Sequence, residues 1–200
     1  IFWNPKKIPI DENHPKNPIN PYGKSKLMVE EILKDFNSAY NLKYISFRYF
    51  NAAGHDPDGD LSERHNPETH LLPIIIQAVN KQRDSVSIFG TDYDTDDGTC
   101  IRDYIHVNDI VTAHLKGLDY LNKNNSPSLE LNLGNGSGFS VKEVINKVKK
   151  MTGVDFTIVN KSRRGGDPSV LIASSKKANL ELNLKLSYSD IEEIIQTLIK

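Results

Sequence analysis

The stretch NPYGKSKLMVEEILKDFNSAYNLKYISFRYF, residues 20–50, sets the class of fold. Asn20 offers a side-chain acceptor for a helix N-cap, and Pro21 is preset for the first helical position. Met28, Ile32 and Phe36, with Leu33 alongside, recur at helical spacing to about Tyr40. KYISFRYF (43–50), rich in aromatic and branched residues, then reads as a strand. The alternation continues. HLLPIIIQAVNKQ (70–82) reads as a largely buried helix that tolerates Pro73 only in its first turn. SVSIFG (85–90) is a short strand, residues 90–100 an acidic loop containing glycine, and RDYIHV (102–107) is ambiguous. Asn108 or Asp109 opens a helix carrying Ile110, Val111, His114, Leu118 and Leu121, and LELNL (129–133) alternates as a strand. Ser140 and Glu143 form a capping box for a helix that stops near Gly153. FTIV (156–159) is another strand, and Ser189 with Glu192 forms a second capping box before Ile191, Ile194, Ile195 and Leu198. Residues 1–19, NAAGHDPDGD (51–60) and SRRGGDP (162–168) read as loops. Strands alternating with helices predict an α/β fold.

The totals bound the partners. A chain of 200 residues suits one or two domains with a proper core. A net charge of -1 points to neither nucleic acid nor a membrane surface. No apolar run is long enough to cross a bilayer. Cys100 is the single cysteine, so no internal disulfide forms. With no charged-then-apolar leader at its start, the chain is expected to be cytoplasmic. It opens at Ile1 rather than Met, on an apolar triplet, and is expected to be cut from something longer.

Tyr22 and Lys26 are four residues apart, so they share one face of the first helix. A bare Y-x-x-x-K is common as an exposed surface pair. As a catalytic pair it needs a phenolate, and a free phenol has a pKa of about 10. A neighbouring ammonium and the positive end of a helix dipole both favour the phenolate, and this pair has access to both.

NPYGKSK, then FRYFNAAG, RDYIHVND, NLGNGSGFSVKEV and RRGGDP stand in that order in the chain. The ordered series resembles the extended short-chain dehydrogenase/reductase family, and within it the sugar-nucleotide epimerases, from about Pro5 to the C-terminus. The resemblance implies NAD on a Rossmann domain and a UDP-sugar on a smaller α/β domain. Residues 1–50 would be the remainder of the Rossmann domain. Residues 51–200 would be mainly sugar-nucleotide-binding, with about 100–135 returning to the Rossmann domain. Tyr22 would be the base that takes the proton from the sugar 4-hydroxyl while hydride leaves C4 for NAD. Lys26 would lower its pKa and hold the nicotinamide ribose, with Tyr49 also at the cofactor. Phe50, Asn51, His70 and Leu71 would touch the sugar nucleotide. Phe89 would line the uracil pocket, Arg102 would bind the diphosphate, and Arg164 and Asp167 the phosphate and uridine ribose. Leu171 takes the place that bounds the sugar pocket, where a smaller residue favours N-acetylated sugars. RYFNAAG and DGTCIRDYIHV favour 4-epimerisation between UDP-glucose and UDP-galactose. Dehydration, decarboxylation or reduction of a sugar nucleotide on the same Tyr-Lys pair stays open, as do a non-catalytic UDP-sugar-binding remnant and a homodimer.

His70 stands where several relatives carry Asn, and a lone His opening a helix is more often structural. With no Cys or His nearby at ligand spacing, no metal is expected there. TDYDTDDGTCIRD (91–103) starts like a calcium loop, but its Gly falls one place late and Asp103 stands where Glu is usual. Gly134, Gly136 and Gly138 resemble a dinucleotide fingerprint with the third Gly one residue early, and read as a structural turn. No G-x-G-x-x-G occurs in the chain. The 200 residues alone are therefore expected to be catalytically silent, retaining weak UDP binding, with Ile1, Phe2 and Trp3 disordered or in non-native contacts.

Overall fold

The computed structural model describes residues 5–123 and 125–199, so the expectation for Ile1, Phe2 and Trp3 lies outside the described residues. The elements run α1 (Pro21–Tyr40), β1 (Ile45–Tyr49), β2 (Asn51–Ala53), α2 (Leu71–Val79), β3 (Ser85–Phe89), β4 (Ile101–His106) and α3 (Val107–Leu121). They continue with β5 (Leu129–Leu133), β6 (Gly138–Ser140), α4 (Val141–Thr152), β7 (Thr157–Lys161), β8 (Val170–Leu171), α5 (Lys176–Leu182) and α6 (Ile191–Leu198). The chain is α/β, with parallel pairing throughout except between β4 and β6.

Several local readings need correction. The α3 helix starts at Val107, not at Asn108 or Asp109, because the His106 ring accepts the Asn108 N–H and acts as the N-cap. Asp109 instead accepts the N–H groups of Ser187 and Tyr188. The second capping box is one residue later than expected: Asp190 and Glu193, not Ser189 and Glu192. Both frames fit the pattern, and in the one that forms Glu193 accepts the N–H groups of both Ser189 and Asp190. Asn51–Ala53, read as loop, pairs with β4 as a short strand. The first capping box, Ser140 with Glu143, and the left-handed Gly153 at the end of α4 stand as the sequence predicts.

Two cores flank β4. On one side α2, α4 and α6 bury Leu72, Ile75, Ile145, Val148, Ile191, Ile194 and Ile195 against β3 and β4. On the other, β1 and β5 with α3 and α5 bury Leu129, Leu131, Leu133, Ala113, Ala178 and Leu182. Neighbours on β4 divide between them: Tyr104 packs in the first core and Ile105 in the second, as strand alternation requires. Each fully buried aliphatic side chain contributes ~1.5–3 kcal/mol.

The α1 helix is held differently. Its only buried residues are Gly23 and Glu30, and the stripe of Met28, Ile32 and Phe36 stands exposed. Glu30 accepts hydrogen bonds from Arg48 Nε at 2.5 Å and Nη2 at 2.8 Å, and from Lys16 at 2.8 Å. Arg48 and Lys16 also pair with Glu130 on β5, which Lys34 approaches at 3.4 Å. An ionic clasp thus ties α1 to β1, β5 and the leading loop. Burial alone would raise the Glu130 carboxyl, but Lys16, Arg48 and Lys34 outweigh it and hold it at about 2.

The glycine turn after β5 wraps a side chain. The buried Asp103 carboxylate accepts N–H groups from Asn135 at 2.8 Å, Gly136 at 3.1 Å and Ala173 at 2.9 Å. A Cβ on Gly134 would stand 2.5 Å from Asp103 Oδ2, so this turn has no room for a larger residue. Burial outweighs the three donors and raises the Asp103 carboxyl to about 6. Two other carboxylates of the 91–103 loop are used separately. Asp92 pairs with Arg163, and Asp97 accepts from Thr99 and Ser140.

Candidate active site

Two clefts meet at the start of α1. Asn20 caps the helix by accepting the Gly23 N–H at 2.7 Å. That fixes the first turn, from which Tyr22 projects at 73 % exposure. Lys26, one turn on, places its ammonium 5.2 Å from the Tyr22 ring centroid. Both line a cleft of about 560 Å³ whose far wall is β1 and the residues after it, including Tyr49, Phe50 and Asn51. Tyr22, Tyr49, Phe50 and Asn51 also line a second cleft of about 720 Å³. This larger cleft takes in His70, Leu71, Phe89, Arg102, Arg164 and Asp167, but not Lys26. Every residue singled out from the sequence therefore lies on one cleft or the other. Leu171 lines the smaller one.

The strand ends bring this about. Tyr49 closes β1, and its hydroxyl lies 3.0 Å from His114 Nε2 on α3. Burial raises the Tyr49 phenol. Asn51 donates its side-chain amide to the Asp103 carbonyl at 3.1 Å. Arg102 on β4 donates Nη1 to the carbonyls of Ile101 at 2.8 Å and Pro168 at 2.9 Å. Its other terminal nitrogen, Nη2, is 3.3 Å from Asp167 Oδ1 yet lacks hydrogen-bond alignment, leaving a buried donor unsatisfied on the cleft wall. Such a donor is costly unless a ligand completes it.

Arg164 lays its guanidinium 3.9 Å from the Phe89 ring centroid. Lys161, opposite Phe89 in the β3–β7 register, brings its ammonium to 5.7 Å from the same ring. Lys161 and Tyr104, which also line the larger cleft, are not among the residues singled out from the sequence. Lys161 becomes a neighbour of Phe89 only through strand pairing, a signal no local motif carries. Burial pushes the Tyr104 phenol far above its ordinary range.

His70 is the N-cap of α2 but makes no side-chain cap bond. Its Nδ1 lies 2.9 Å from Glu68 Oε1 and 3.1 Å from Glu63 Oε1. The expectation that it lacks a histidine neighbour is corrected: the His65 ring is 5.1 Å away, brought there by the fold of the 63–70 loop.

Residues 2–134 match the family model described as the NAD dependent epimerase/dehydratase family. The chain is 50% identical over 191 residues to a UDP-glucose 4-epimerase of Streptococcus mutans, a match that covers 96% of this chain and 57% of that protein. Among solved structures, the UDP-glucose 4-epimerase of Brucella ovis in complex with NAD superposes with a TM-score of 0.92 at 44% identity. That match covers 98% of this chain and 60% of the other. The Bifidobacterium longum UDP-glucose 4-epimerase in complex with NAD+ and UDP gives 0.91 at 36% identity, covering 98% and 58%. The chain thus spans less than two thirds of the length of the relatives it matches.

Proposed function

Since the chain belongs to the NAD dependent epimerase/dehydratase family, we propose that it forms the larger part of a UDP-glucose 4-epimerase. The activity is the interconversion of UDP-glucose and UDP-galactose. The observation that carries this reading is that Tyr22 stands on the wall of both clefts. A base that must reach a sugar hydroxyl beside a redox cofactor needs that position.

In this reading the smaller cleft takes the nicotinamide end of NAD and the larger takes the UDP-sugar. The residues fit that end of the cofactor. Among the described residues the Lys26 ammonium makes no ion pair and lies exposed beside Tyr22, which suits a ribose diol. Bound NAD would supply the reversible hydride exchange at C4 of the sugar that inverts that centre. Tyr22 takes the proton from the 4-hydroxyl and gives it back, and Lys26 stabilises the phenolate electrostatically. Arg102, with its unsatisfied Nη2, and Arg164 receive the diphosphate, Asp167 the uridine ribose diol, and Phe89 the uracil. Tyr49, Phe50, Asn51, His70 and Leu71 close the sugar and nicotinamide region. Turnover in between requires the 4-keto sugar to rotate, and the ~720 Å³ of the larger cleft supports such freedom.

The two cores support a division of the chain. The core around β1, β5 and α3 would belong to the cofactor domain, and that around α2, α4 and α6 to the substrate domain. The α5 segment packs in the former, a further return beyond residues 100–135. A homodimer is proposed through the exposed Met28, Ile32 and Phe36 stripe of α1. A cytoplasmic setting agrees with the single buried Cys100.

The test is Tyr22→Phe in a full-length protein carrying these residues. Turnover is expected to fall by ~10²–10⁴-fold, the usual worth of a positioned general base, with UDP affinity little changed. Unchanged turnover would overturn the assignment.

A further inference from the structure

The loop entering α2 gathers two imidazoles and a carboxylate on one point. His65 Nε2 lies 2.7 Å from Glu63 Oε1, and His70 Nδ1 lies 3.1 Å from the same oxygen. The ligand atoms of Glu63, His65 and His70 all fall within 4.8 Å of one another. Glu68 Oε1 reaches His70 Nδ1 at 2.9 Å. The two rings stand 5.1 Å apart and tilted by 56°, so they converge rather than stack flat. His70 also leaves its capping duty undone, its side chain turned to this cluster instead.

A tetrahedral zinc ion with bonds of ~2.0–2.1 Å holds its ligand atoms about 3.3 Å apart. The separations to Glu63 Oε1, 2.7 and 3.1 Å, are within a short outward shift of that. A lone exposed His–Glu pair is ordinary surface chemistry. Here one carboxylate oxygen serves two imidazoles at once, the arrangement a cation would replace with two stronger bonds. We propose that Glu63, His65 and His70 form a three-ligand binding site for a divalent cation of the zinc class, with Glu68 orienting His70 through its ring nitrogen. Two nitrogen ligands favour zinc, cobalt or nickel over magnesium or calcium, which prefer all-oxygen shells. The site shares His70 with the proposed sugar-nucleotide cleft and lies on its rim, but its ligation does not depend on that reading. Bound metal would clip the 63–70 loop to the first turn of α2 and fix one rim of the larger cleft, which Glu63, Glu68 and His70 line.

Metal-stripped 200-residue chain is titrated with Zn²⁺ by calorimetry and with Co²⁺ by visible absorption. One equivalent should bind, and the Co²⁺ form should show the intense absorption of a tetrahedral site, bleached by Zn²⁺. Glu63→Gln, which is nearly isosteric, and His65→Ala should each weaken Zn²⁺ binding by at least the ~10–100-fold that loss of an outer-shell partner costs. Circular dichroism of each variant confirms that the fold persists. Failure to bind Zn²⁺, equal affinity for Mg²⁺, or unchanged affinity in both variants would overturn the proposal.

Discussion

Arg102 and Arg164 face the same cleft but are held in different ways, and the difference predicts unequal consequences. Arg102 is pinned by two carbonyls with one nitrogen left over, whereas Arg164 rests on the Phe89 ring. Arg102→Ala should therefore weaken UDP binding by ~1.5–3 kcal/mol, the worth of hydrogen bonds to a charged group. Arg164→Ala should cost less, because Arg164 is not pinned by side-chain hydrogen bonds and has to be ordered when it meets the diphosphate. Calorimetry with UDP distinguishes them, and equal losses would contradict the reading. Leu171 gives a second comparison. It lines the smaller cleft, given above to the nicotinamide, and not the larger, so Leu171→Tyr should lower turnover of UDP-N-acetylglucosamine and UDP-glucose alike in the full-length protein. At this scale the sequence was informative where neighbours are close in the chain. Tyr22 with Lys26, and Tyr49 through Asn51, are each read within one turn or strand. Lys161 and Tyr104 were not legible, because strand pairing alone sets them opposite Phe89 and Asn51.

Among the elements, α1 shows how an apolar pattern can mislead about packing. Its spacing of Met28, Ile32 and Phe36 identifies the helix correctly, yet that stripe is not the face laid on the sheet. Glu30 does that work, clasped by Arg48 and Lys16, and no periodicity announces a buried carboxylate. Removing Arg48 leaves Glu30 buried without its main partner. Arg48→Ala should cost ~3–5 kcal/mol, seen as a lower urea midpoint with loss of the α1 anchor. Ser140→Ala removes a formed capping box from α4 and should cost about 1 kcal/mol in the same measurement. The two capping boxes were legible to within one residue: Ser140 stood as read, while Asp190 displaced Ser189.

For the molecule as a whole, the half-buried Glu130 and the buried Asp103 pull acid stability in opposite directions. Glu130 has its native pKa lowered to about 2 from an ordinary 4.5. Its contribution, ~3 kcal/mol, is fully present above pH 4.5 and is lost as pH falls toward 2. Asp103 is raised to about 6 from 3.8. The native state then holds the proton more tightly, so this group favours folding below about pH 4 and withdraws that favour as pH rises to 6. Stability followed by urea unfolding across pH should thus peak between about 4 and 5, if these two groups dominate; a monotonic rise from pH 3 to 7 would contradict the pair. The 200 residues alone should bind UDP but turn over no UDP-galactose, since no glycine-rich cradle for the cofactor pyrophosphate occurs in them. The α/β class and the order of elements were legible from alternation. The two-core arrangement was not, because α5 joins the β1–β5 core from a distance no local pattern records.

The turn around Asp103 also makes that carboxyl visible from elsewhere in the chain. Asn135, Gly136 and Ala173, which lie 32, 33 and 70 residues from it, donate their amides to the same two oxygens. Protonation withdraws acceptor strength from all three together. In a nitrogen-15 labelled sample their amide resonances should move along one shared curve centred near pH 6, as three synchronous reporters of one hidden proton.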